Sequence, residues 1–476
     1  MPFLAVLTGI TLLYLFFGAV IWFRTRNFAF PFGLALLYYW TLYGGWFIVI
    51  DRLRGYSELR YEYLYAKLFP VYLDDSYLWT LIAYGTFLLS IEAALLAFAW
   101  RVPPPRESVP VPYVSHTVLL TCGVVIGFLS FWVVRGTLGI AAQMNVSSYE
   151  FVRLDEQAAG LYKVHQILMR AALFSVTVGL AIIASGKDAK LVRGSRSIPV
   201  LIGYAATLSG LVAVNIMLGQ RRAIAAEMIS GGLFYLVNVR RPSRILILGG
   251  AAVMIVGMGF VSMTRGGGVA AGVSTIDTLK DSIIENVVSN EPFAAHLSLY
   301  GSIAYKLPAS YGSSLVYLTS SLIPGIERPA DIYEYYAEHV MAIEGQGYTV
   351  HHATGWYLNF GMAGVFAGGV LLGTIWAVLF GLFQRHTRIR QHVIRIAAIF
   401  TVWTFTAFLP SICRAGPEAY KGMLLEVLVI PIAVMAAATT RIVNVAGQPS
   451  LAAFYAPAAG QLRDDPYPAA LAGEIA

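Results

Sequence analysis

Long apolar runs recur along almost the whole chain, and they constrain the fold more than any other feature. An α-helix needs about 20 apolar residues to cross the hydrocarbon core of a bilayer. Only 12% of the 476 residues are charged, against about 25% in soluble domains. Because a helix satisfies its own backbone polar groups within lipid, the sequence predicts an all-α polytopic membrane protein. Eleven runs are long enough to cross, at residues 3–23, 29–50, 77–99, 114–134, 166–186, 198–218, 222–239, 245–264, 355–383, 394–413 and 422–440.

The basic residues between these runs predict the orientation of the chain. Alternate short loops are almost purely basic, and the positive-inside rule places such loops in the cytoplasm. We therefore expect the N-terminus outside and the C-terminus inside. The net charge of +7 is explained by this orientation, so nucleic acid is not a predicted partner. The basic loops contain Arg24, Arg26, Arg101, Arg106, Lys187, Lys190, Arg193, Arg196, Arg240, Arg241, Arg244, Arg385, Arg388, Arg390 and Arg441.

The chain divides into four parts on this interpretation. Residues 1–264 hold transmembrane helices 1 to 8, and residues 355–445 hold helices 9 to 11. Between them, residues 265–354 form a large external loop, in which the apolar segment 313–323 is too short to span and predicts a re-entrant or interfacial helix. Residues 446–476 are rich in Ala, Pro and Gly, and we expect a disordered cytoplasmic tail.

No metal site, disulfide framework or cofactor is predicted. The two cysteines, Cys122 and Cys413, both lie in apolar runs, which is typical of core residues. The chain also lacks the HExxH and CxxC spacings of common metal sites.

A second basic set breaks the positive-inside pattern, because it lies at the external ends of the spans. Charged groups near the hydrocarbon are costly without a partner, and guanidinium groups suit bidentate binding of phosphate. The alternative is that single arginines anchor helix ends at the interface. Taken together, the set predicts a site for the phosphate or pyrophosphate headgroup of a lipid. Its proposed ligands are Arg135, Arg153, Arg221, Arg222, Arg265 and Arg414, and Arg170 lies on the same side.

Catalytic and sugar-binding candidates also fall on the external side. His351 and His352 precede the ninth span, and Glu418 follows Arg414 closely. A histidine titrates near neutral pH and can accept a proton from an attacking hydroxyl, although both histidines could instead be solvated loop residues. Tyr348 and Tyr357 are candidates to stack on sugar rings, with interfacial anchoring as the alternative.

Four short segments resemble the Wzy-type polymerases of bacterial surface polysaccharides, which include O-antigen and enterobacterial common antigen polymerases. Arg265 ends an outward helix before the large loop, as a basic residue does in that family. One departure concerns the residues at 353–356, Ala-Thr-Gly-Trp, where relatives often carry an acidic residue. By similarity to the related ligases, His351 and His352 would take the place of this acidic residue as the base. The other matching segments are Gly-Gln-Arg-Arg at 219–222, Tyr-Leu-Asn-Phe-Gly-Met-Ala-Gly at 357–364 and Arg-Ala-Gly at 414–416.

The resemblance implies a metal-independent, inverting glycosyltransferase with the GT-C type of membrane architecture. It would work at the periplasmic face of the bacterial inner membrane. The donor would be a glycan on undecaprenyl pyrophosphate, transferred onto the terminal sugar of another lipid-linked repeat unit. The arginines would hold the pyrophosphate, and the base would activate the acceptor hydroxyl. A flippase and a chain-length regulator are the implied protein partners.

Two alternatives stay open at this stage. A lipid-linked oligosaccharide flippase or other transporter would also need arginines, and intramembrane acids favour it. These acids are Glu92, Glu227 and Glu426. A ligase that moves finished glycan to another acceptor would use almost the same groups as a polymerase.

Overall fold

The computed structural model describes the membrane-spanning part of the chain with several gaps. The C-terminal unit, residues 440–476, lies outside the described residues, so the expected disordered tail stays a prediction. The described residues are 2–53, 72–99, 115–143, 156–184, 198–218, 222–238, 245, 248–249, 252, 291–321, 323, 329–339, 349–386, 389 and 392–439.

Every regular element within these ranges is helical, and none is a strand. The last helix, residues 419–439, is composite because a π-helical stretch, Leu424–Val429, separates its two α-helical parts, Ala419–Met423 and Ile430–Thr439. In chain order the helices are α1 Pro2–Thr25, α2 Ala29–Leu53, α3 Asp75–Ala99, α4 His116–Gln143, α5 Glu156–Ala184, α6 Ile198–Met217, α7 Arg222–Asn238, α8 Glu291–Ala304, α9 Ser313–Ser320, α10 Ile332–His339, α11 His352–Gln384, α12 His392–Cys413, α13 Ala419–Met423 and α14 Ile430–Thr439.

The all-α polytopic membrane architecture is confirmed at the level of its helices. Among the described residues, eight helices are long and apolar enough to cross a bilayer, and each matches a predicted span. Two further predicted spans correspond to shorter apolar helices, Ala223–Leu236 and Ala398–Cys413. The predicted span at 245–264 falls almost wholly outside the described residues. The count of eleven therefore stays a prediction.

Contacts along the helices fix their relative directions and bring one set of helix ends together. The beginnings of α5, α7, α11 and α13 lie at the same end of the bundle as the final residues of α4 and α12. We call this end, marked by His352 and Arg414, the site end. Helices α5 and α7 run the same way, whereas α12 runs opposite to the last helix and α4 opposite to α5. The contacts Arg170–Glu227 and Thr177–Gly231 join α5 and α7. Phe408–Gly422 and Thr404–Val427 join α12 and the last helix. Ser130–His165 and Leu119–Ser175 join α4 and α5, and Arg170–Glu426 joins α5 and the last helix.

Helices α3 and α11 approach closely, because glycines line their contact. A Cβ atom on Gly369 would lie 2.6 Å from the carbonyl oxygen of Phe87. About two turns further along α11, Trp376 stacks on Phe30 of α2. Close backbone approach of this kind is the common packing mode of membrane helices, which gain no hydrophobic advantage from leaving lipid.

The interval 265–354 is not only a peripheral loop, because one of its helices is part of the bundle. Helix α8 is buried along residues 292–302 and packs against α2, α3 and α11. Its 14 residues are too few to span a bilayer, so a search by span length passes over it. The short apolar helix predicted around 313–323 is present as α9.

Candidate functional site

At the site end, His351 and His296 sit in a buried hydrogen-bonded cluster. The ring Nδ1 of His351 accepts from the backbone N–H of Ala353 at 3.1 Å and so caps α11. Its Nε2 lies 3.3 Å from the Thr41 hydroxyl. His296 from α8 bonds the Thr41 carbonyl through Nδ1 at 2.8 Å and the Tyr77 hydroxyl through Nε2 at 3.1 Å. These bonds tie the loop helix α8 to α2, α3 and α11.

His352 joins the beginning of α11 to the turn between α12 and the last helix. Its Nδ1 lies 2.8 Å from the carbonyl oxygen of Ala415 and 3.1 Å from that of Gly416, so this nitrogen carries the proton. Its Nε2 accepts from the indole N–H of Trp356 at 3.0 Å and lies 3.2 Å from the Tyr420 hydroxyl. The ring is therefore buried and bonded at both nitrogens.

This geometry gives both predicted histidines a structural role in the described conformation. Burial, reinforced by the neighbouring His352 and His296 rings, lowers the pKa of His351 well below its ordinary value. A base with a pKa far below the working pH accepts a proton poorly. The assignment of His351 and His352 as catalytic bases stays a prediction, and the geometry favours the third candidate.

That candidate, Glu418, immediately precedes the last helix, with its carboxylate turned toward the loop helices α9 and α10. Its Oε1 accepts from the backbone N–H of Ile332 at 3.1 Å. Its Oε2 is buried, and no donor among the described residues bonds it in good geometry. Burial raises the pKa of Glu418 to about 7, and the hydroxyl of Ser314 offsets part of that effect. A carboxyl group that titrates near neutral pH suits general acid–base catalysis.

Asn359 extends the polar surroundings of Glu418. Its Nδ2 donates to Ser314 Oγ at 3.0 Å and to the Gly355 carbonyl at 2.6 Å. The Oδ1 of the buried Asn359 has no hydrogen-bond partner among the described residues. An unpaired buried amide oxygen is costly, which makes it a candidate to accept from a ligand.

The helix α11 breaks directly after Asn359. Phe360 has φ −142° and Gly361 has φ 61° with ψ −149°, a conformation open to glycine and strained for other residues. The break coincides with the 357–364 segment on which the family resemblance partly rests. The sequence did not single out Ser314, because one serine in a Ser-Ser-Leu-Val stretch carries no pattern that separates it from its neighbours.

The predicted arginines divide into several groups. Arg414 follows α12 at the site end, where its carbonyl accepts from the Tyr333 hydroxyl at 2.5 Å. Arg222 begins α7 at the same end. Arg135 lies on the exposed surface of α4, with its guanidinium 3.2 Å from the ring centroid of Trp132 and bonded to the Trp132 carbonyl, the geometry of an anchored helix end. Arg153, Arg221, Arg265 and Tyr348 lie outside the described residues, and Tyr357 is partly buried on α11.

Arg170 differs from the others, because it is buried inside the bundle. Its guanidinium meets Glu227 of α7 at 3.4 Å and Glu426 of the last helix at 2.6 Å. It therefore belongs with the intramembrane acids and not with the external basic set. We call Arg170, Glu227 and Glu426 the buried triad.

Comparisons with known proteins do not identify the chain. No protein-family model, curated protein or solved structure matches it. Among the described residues, no group of three or more His, Cys, Asp or Glu side chains is placed to hold a metal ion. What the site end offers chemically is one buried carboxyl group, an arginine-bearing turn, and the amide and hydroxyl groups of Asn359 and Ser314.

Proposed function

We propose that this protein is a polysaccharide polymerase that joins lipid-linked glycan units at the periplasmic face of the bacterial inner membrane. The observation that carries the proposal is the setting of Glu418. A carboxyl group whose pKa is about 7 lies on the arginine-bearing turn, and its neighbour Ser314 bonds Asn359, the residue directly before the break in α11. Transfer of a glycan from a pyrophosphate carrier needs both a base and a cation close together.

The proposed reaction is a displacement at the anomeric carbon of the donor glycan. The acceptor hydroxyl oxygen forms a new bond to that carbon, and the bond from the carbon to the pyrophosphate oxygen breaks. The acceptor proton passes to the Glu418 carboxylate, and the anomeric configuration inverts. Arg414 and Arg222 supply positive charge at the same end of the bundle, where it stabilises the departing pyrophosphate. Asn359 would orient a sugar hydroxyl through its unpaired Oδ1.

The proposal is tested by deleting the gene in its host and restoring it with single variants. Glu418→Gln keeps the shape of the side chain and removes the base, so we expect normal protein level with loss of polymer. Arg414→Gln tests the cation in the same way. Glu338→Gln is the matched control, since Glu338 is an exposed acid of the neighbouring helix α10. Gels of surface polysaccharide and of lipid-linked intermediates give the readout.

Accumulation of single repeat units on the external leaflet would support a polymerase. Polymer of near-normal length in cells carrying Glu418→Gln would remove Glu418 from the proposed mechanism. Normal polymer in the deletion strain would overturn the function itself. An unchanged repeat-unit polymer that fails to reach its final acceptor would indicate the ligase instead.

A transporter of lipid-linked oligosaccharides is the second candidate, and the buried triad favours it. Ionisable groups inside a membrane domain often mark a path for substrates or ions, and Glu92 is a further fully buried acid in α3. In that case the deletion strain would retain its repeat units on the cytoplasmic leaflet. The two candidates are therefore separated by the leaflet that holds the intermediates.

A further inference from the structure

The buried triad brings three charged side chains together from three helices. Arg170 lies on α5, Glu227 on α7 and Glu426 on the π-helical stretch of the last helix. The Arg170 and Glu227 side chains are only 6% and 7% exposed, and that of Glu426 is 19% exposed. Their separations of 3.4 Å and 2.6 Å allow the one guanidinium to contact both carboxylates.

The charges of the triad do not balance if all three groups are ionised. One guanidinium and two carboxylates sum to one negative charge. Of the helices packed around it, α6 has no charged residue, and neither does the described stretch 398–413 of α12. The last helix carries Lys421, five residues before Glu426, and α4 carries Arg135, which is exposed and rests on Trp132. On α5 and α7, the remaining described charges near the site end are Lys163 and Arg222, about two and one and a half turns away from the triad along their helices.

Glu227 is the member with an unmet bonding capacity. It is 5% exposed, and its Oε2 is buried without a hydrogen-bond partner among the described residues. Glu426 makes the shorter contact to Arg170, so the ion pair lies between those two groups. The Oε1 of Glu227 accepts from the same guanidinium at 3.4 Å. A second buried carboxylate that shares one cation is disfavoured as an ion, and such a group takes up a proton instead.

We infer that the triad is a proton-binding site inside the membrane domain, in which Glu227 carries the proton and Arg170 pairs with ionised Glu426. The proton makes the triad electrically neutral. Its departure would leave two carboxylates competing for Arg170, so protonation is linked to the contacts among α5, α7 and the last helix. The inference does not depend on the polymerase proposal, because it concerns groups that take no part in the proposed transfer.

The π-helical stretch is the part of the last helix that takes part in this linkage between protonation and helix contacts. A π-helical turn holds one extra residue relative to an α-helix, and such turns are frequent at functional sites. Glu426 lies within Leu424–Val429, between Glu418 at the site end and α14. A change in the partner of Glu426 therefore acts on the same helix that begins beside Glu418.

The test uses infrared spectroscopy of the full chain in lipid nanodiscs. The carbonyl stretch of a protonated carboxyl group is separate from that of a carboxylate. Measurement in a background carrying Glu92→Gln and Glu418→Gln removes the two other buried acids of the described residues. We expect a protonated-carboxyl band at neutral pH that disappears when Glu227→Gln is added. Adding Arg170→Gln to the background should instead strengthen the band, because the guanidinium that favours the ionised form of Glu426 is then absent.

Thermal unfolding of the single variants identifies the glutamate that carries the proton. Glutamine is a neutral substitute for a protonated carboxyl group, so Glu227→Gln should leave the melting temperature close to that of the parent. Glu426→Gln removes the ionised partner of Arg170 and should lower it clearly. A band that Glu227→Gln leaves unchanged would overturn the proton site. A larger destabilisation by Glu227→Gln than by Glu426→Gln would overturn its assignment to Glu227.

Discussion

Glu227 and Glu418 are both buried carboxyl groups, but they differ in what surrounds them. Glu227 faces a guanidinium in the interior of the helix bundle, 3.4 Å away. Glu418 has a backbone N–H from Ile332 and the nearby Ser314 hydroxyl. Arg170 also contacts Glu426, at 2.6 Å, so the protonation of Glu227 is coupled to an ion pair between two helices, whereas a carboxyl group held by neutral donors titrates by itself. The first arrangement suits linking proton binding to helix contacts, and the second suits proton transfer to a substrate.

The two regions differ in backbone as well as in charge. The buried triad sits on three helices that pack along their length. The Glu418 region is built from a turn, the beginnings of short helices and the break in α11 at Phe360 and Gly361. Irregular backbone in a membrane protein is tolerated where it is enclosed by protein or lines a cavity. We therefore expect substitution of the ion-paired Arg170 or Glu426 to affect stability first, and substitutions near Glu418 to affect function first.

The largest effect should come from Arg170→Met. This change removes the guanidinium that pairs with Glu426 and contacts Glu227, and breaking a buried ion pair in this way costs about 3–5 kcal/mol. Thermal unfolding in detergent measures the loss. Arg135→Met is the matched control, because the Arg135 guanidinium is exposed and rests on Trp132; it should cost less than about 1 kcal/mol. Equal losses of stability from the two substitutions would contradict the expected difference between the buried Arg170 and the exposed Arg135.

A smaller but clear loss is expected for His352→Gln. The imidazole bonds the carbonyls of Ala415 and Gly416 and the indole of Trp356, and each buried group left unsatisfied costs roughly 1–3 kcal/mol. His339→Gln is the control, since His339 is a partly buried residue of α10 bonded within its own helix. The result also tests the predicted base. A variant with wild-type stability and no activity would return His352 to the catalytic role.

Eight of the long helices could be predicted from the sequence because spanning length and apolar composition are properties of contiguous residues. The helices α1 to α6, α11 and the last helix follow from that property alone. Helix α8 does not, since its burial depends on α2, α3 and α11 lying around it. The same limit explains Arg170: the sequence placed it on the external side, but its partners Glu227 and Glu426 are 57 and 256 residues away along the chain.

Only part of the candidate site could be predicted from the sequence. Arg414 and Glu418 share one turn, so their proximity could be predicted directly. The bonding of His351 and His352 could not, because the partners come from residues as distant as Thr41 and Tyr420. Two adjacent histidines before a span are compatible with solvated, catalytic or structural roles, and only the packing of several helices distinguishes them.

A third prediction concerns the pH dependence that Glu418 gives to stability. Its pKa lies at about 7 in the folded protein, above the ordinary value of 4.5, so the folded state holds this proton more tightly than the unfolded state. The stabilisation is complete below pH 4.5 and is lost as pH rises through about 7. Each unit of pKa difference corresponds to about 1.4 kcal/mol before any discount for solvent screening. Glu418→Gln should remove this dependence.

Melting temperatures of the wild type and Glu418→Gln, measured across this pH range, provide the check. The wild type should lose stability relative to the variant as the pH rises. Parallel curves would mean that Glu418 is not the titrating group. The same ionisation predicts that any base-catalysed activity increases as the pH rises through about 7, since only the carboxylate accepts a proton. Stability and activity should therefore change in opposite directions.

The smallest effect should come from Tyr333→Phe, which removes one hydroxyl and keeps the ring. The Tyr333 hydroxyl bonds the Arg414 carbonyl, and one such bond contributes about 0.5–1.5 kcal/mol. Tyr335→Phe is the control, because it removes a comparable bond to the Pro308 carbonyl from the same helix. If the turn around Arg414 serves the reaction, the two variants should lose similar stability while Tyr333→Phe alone lowers the yield of polymer. An equal loss of polymer in both variants would attribute the loss to lower stability. It would then indicate that the turn around Arg414 has a structural role.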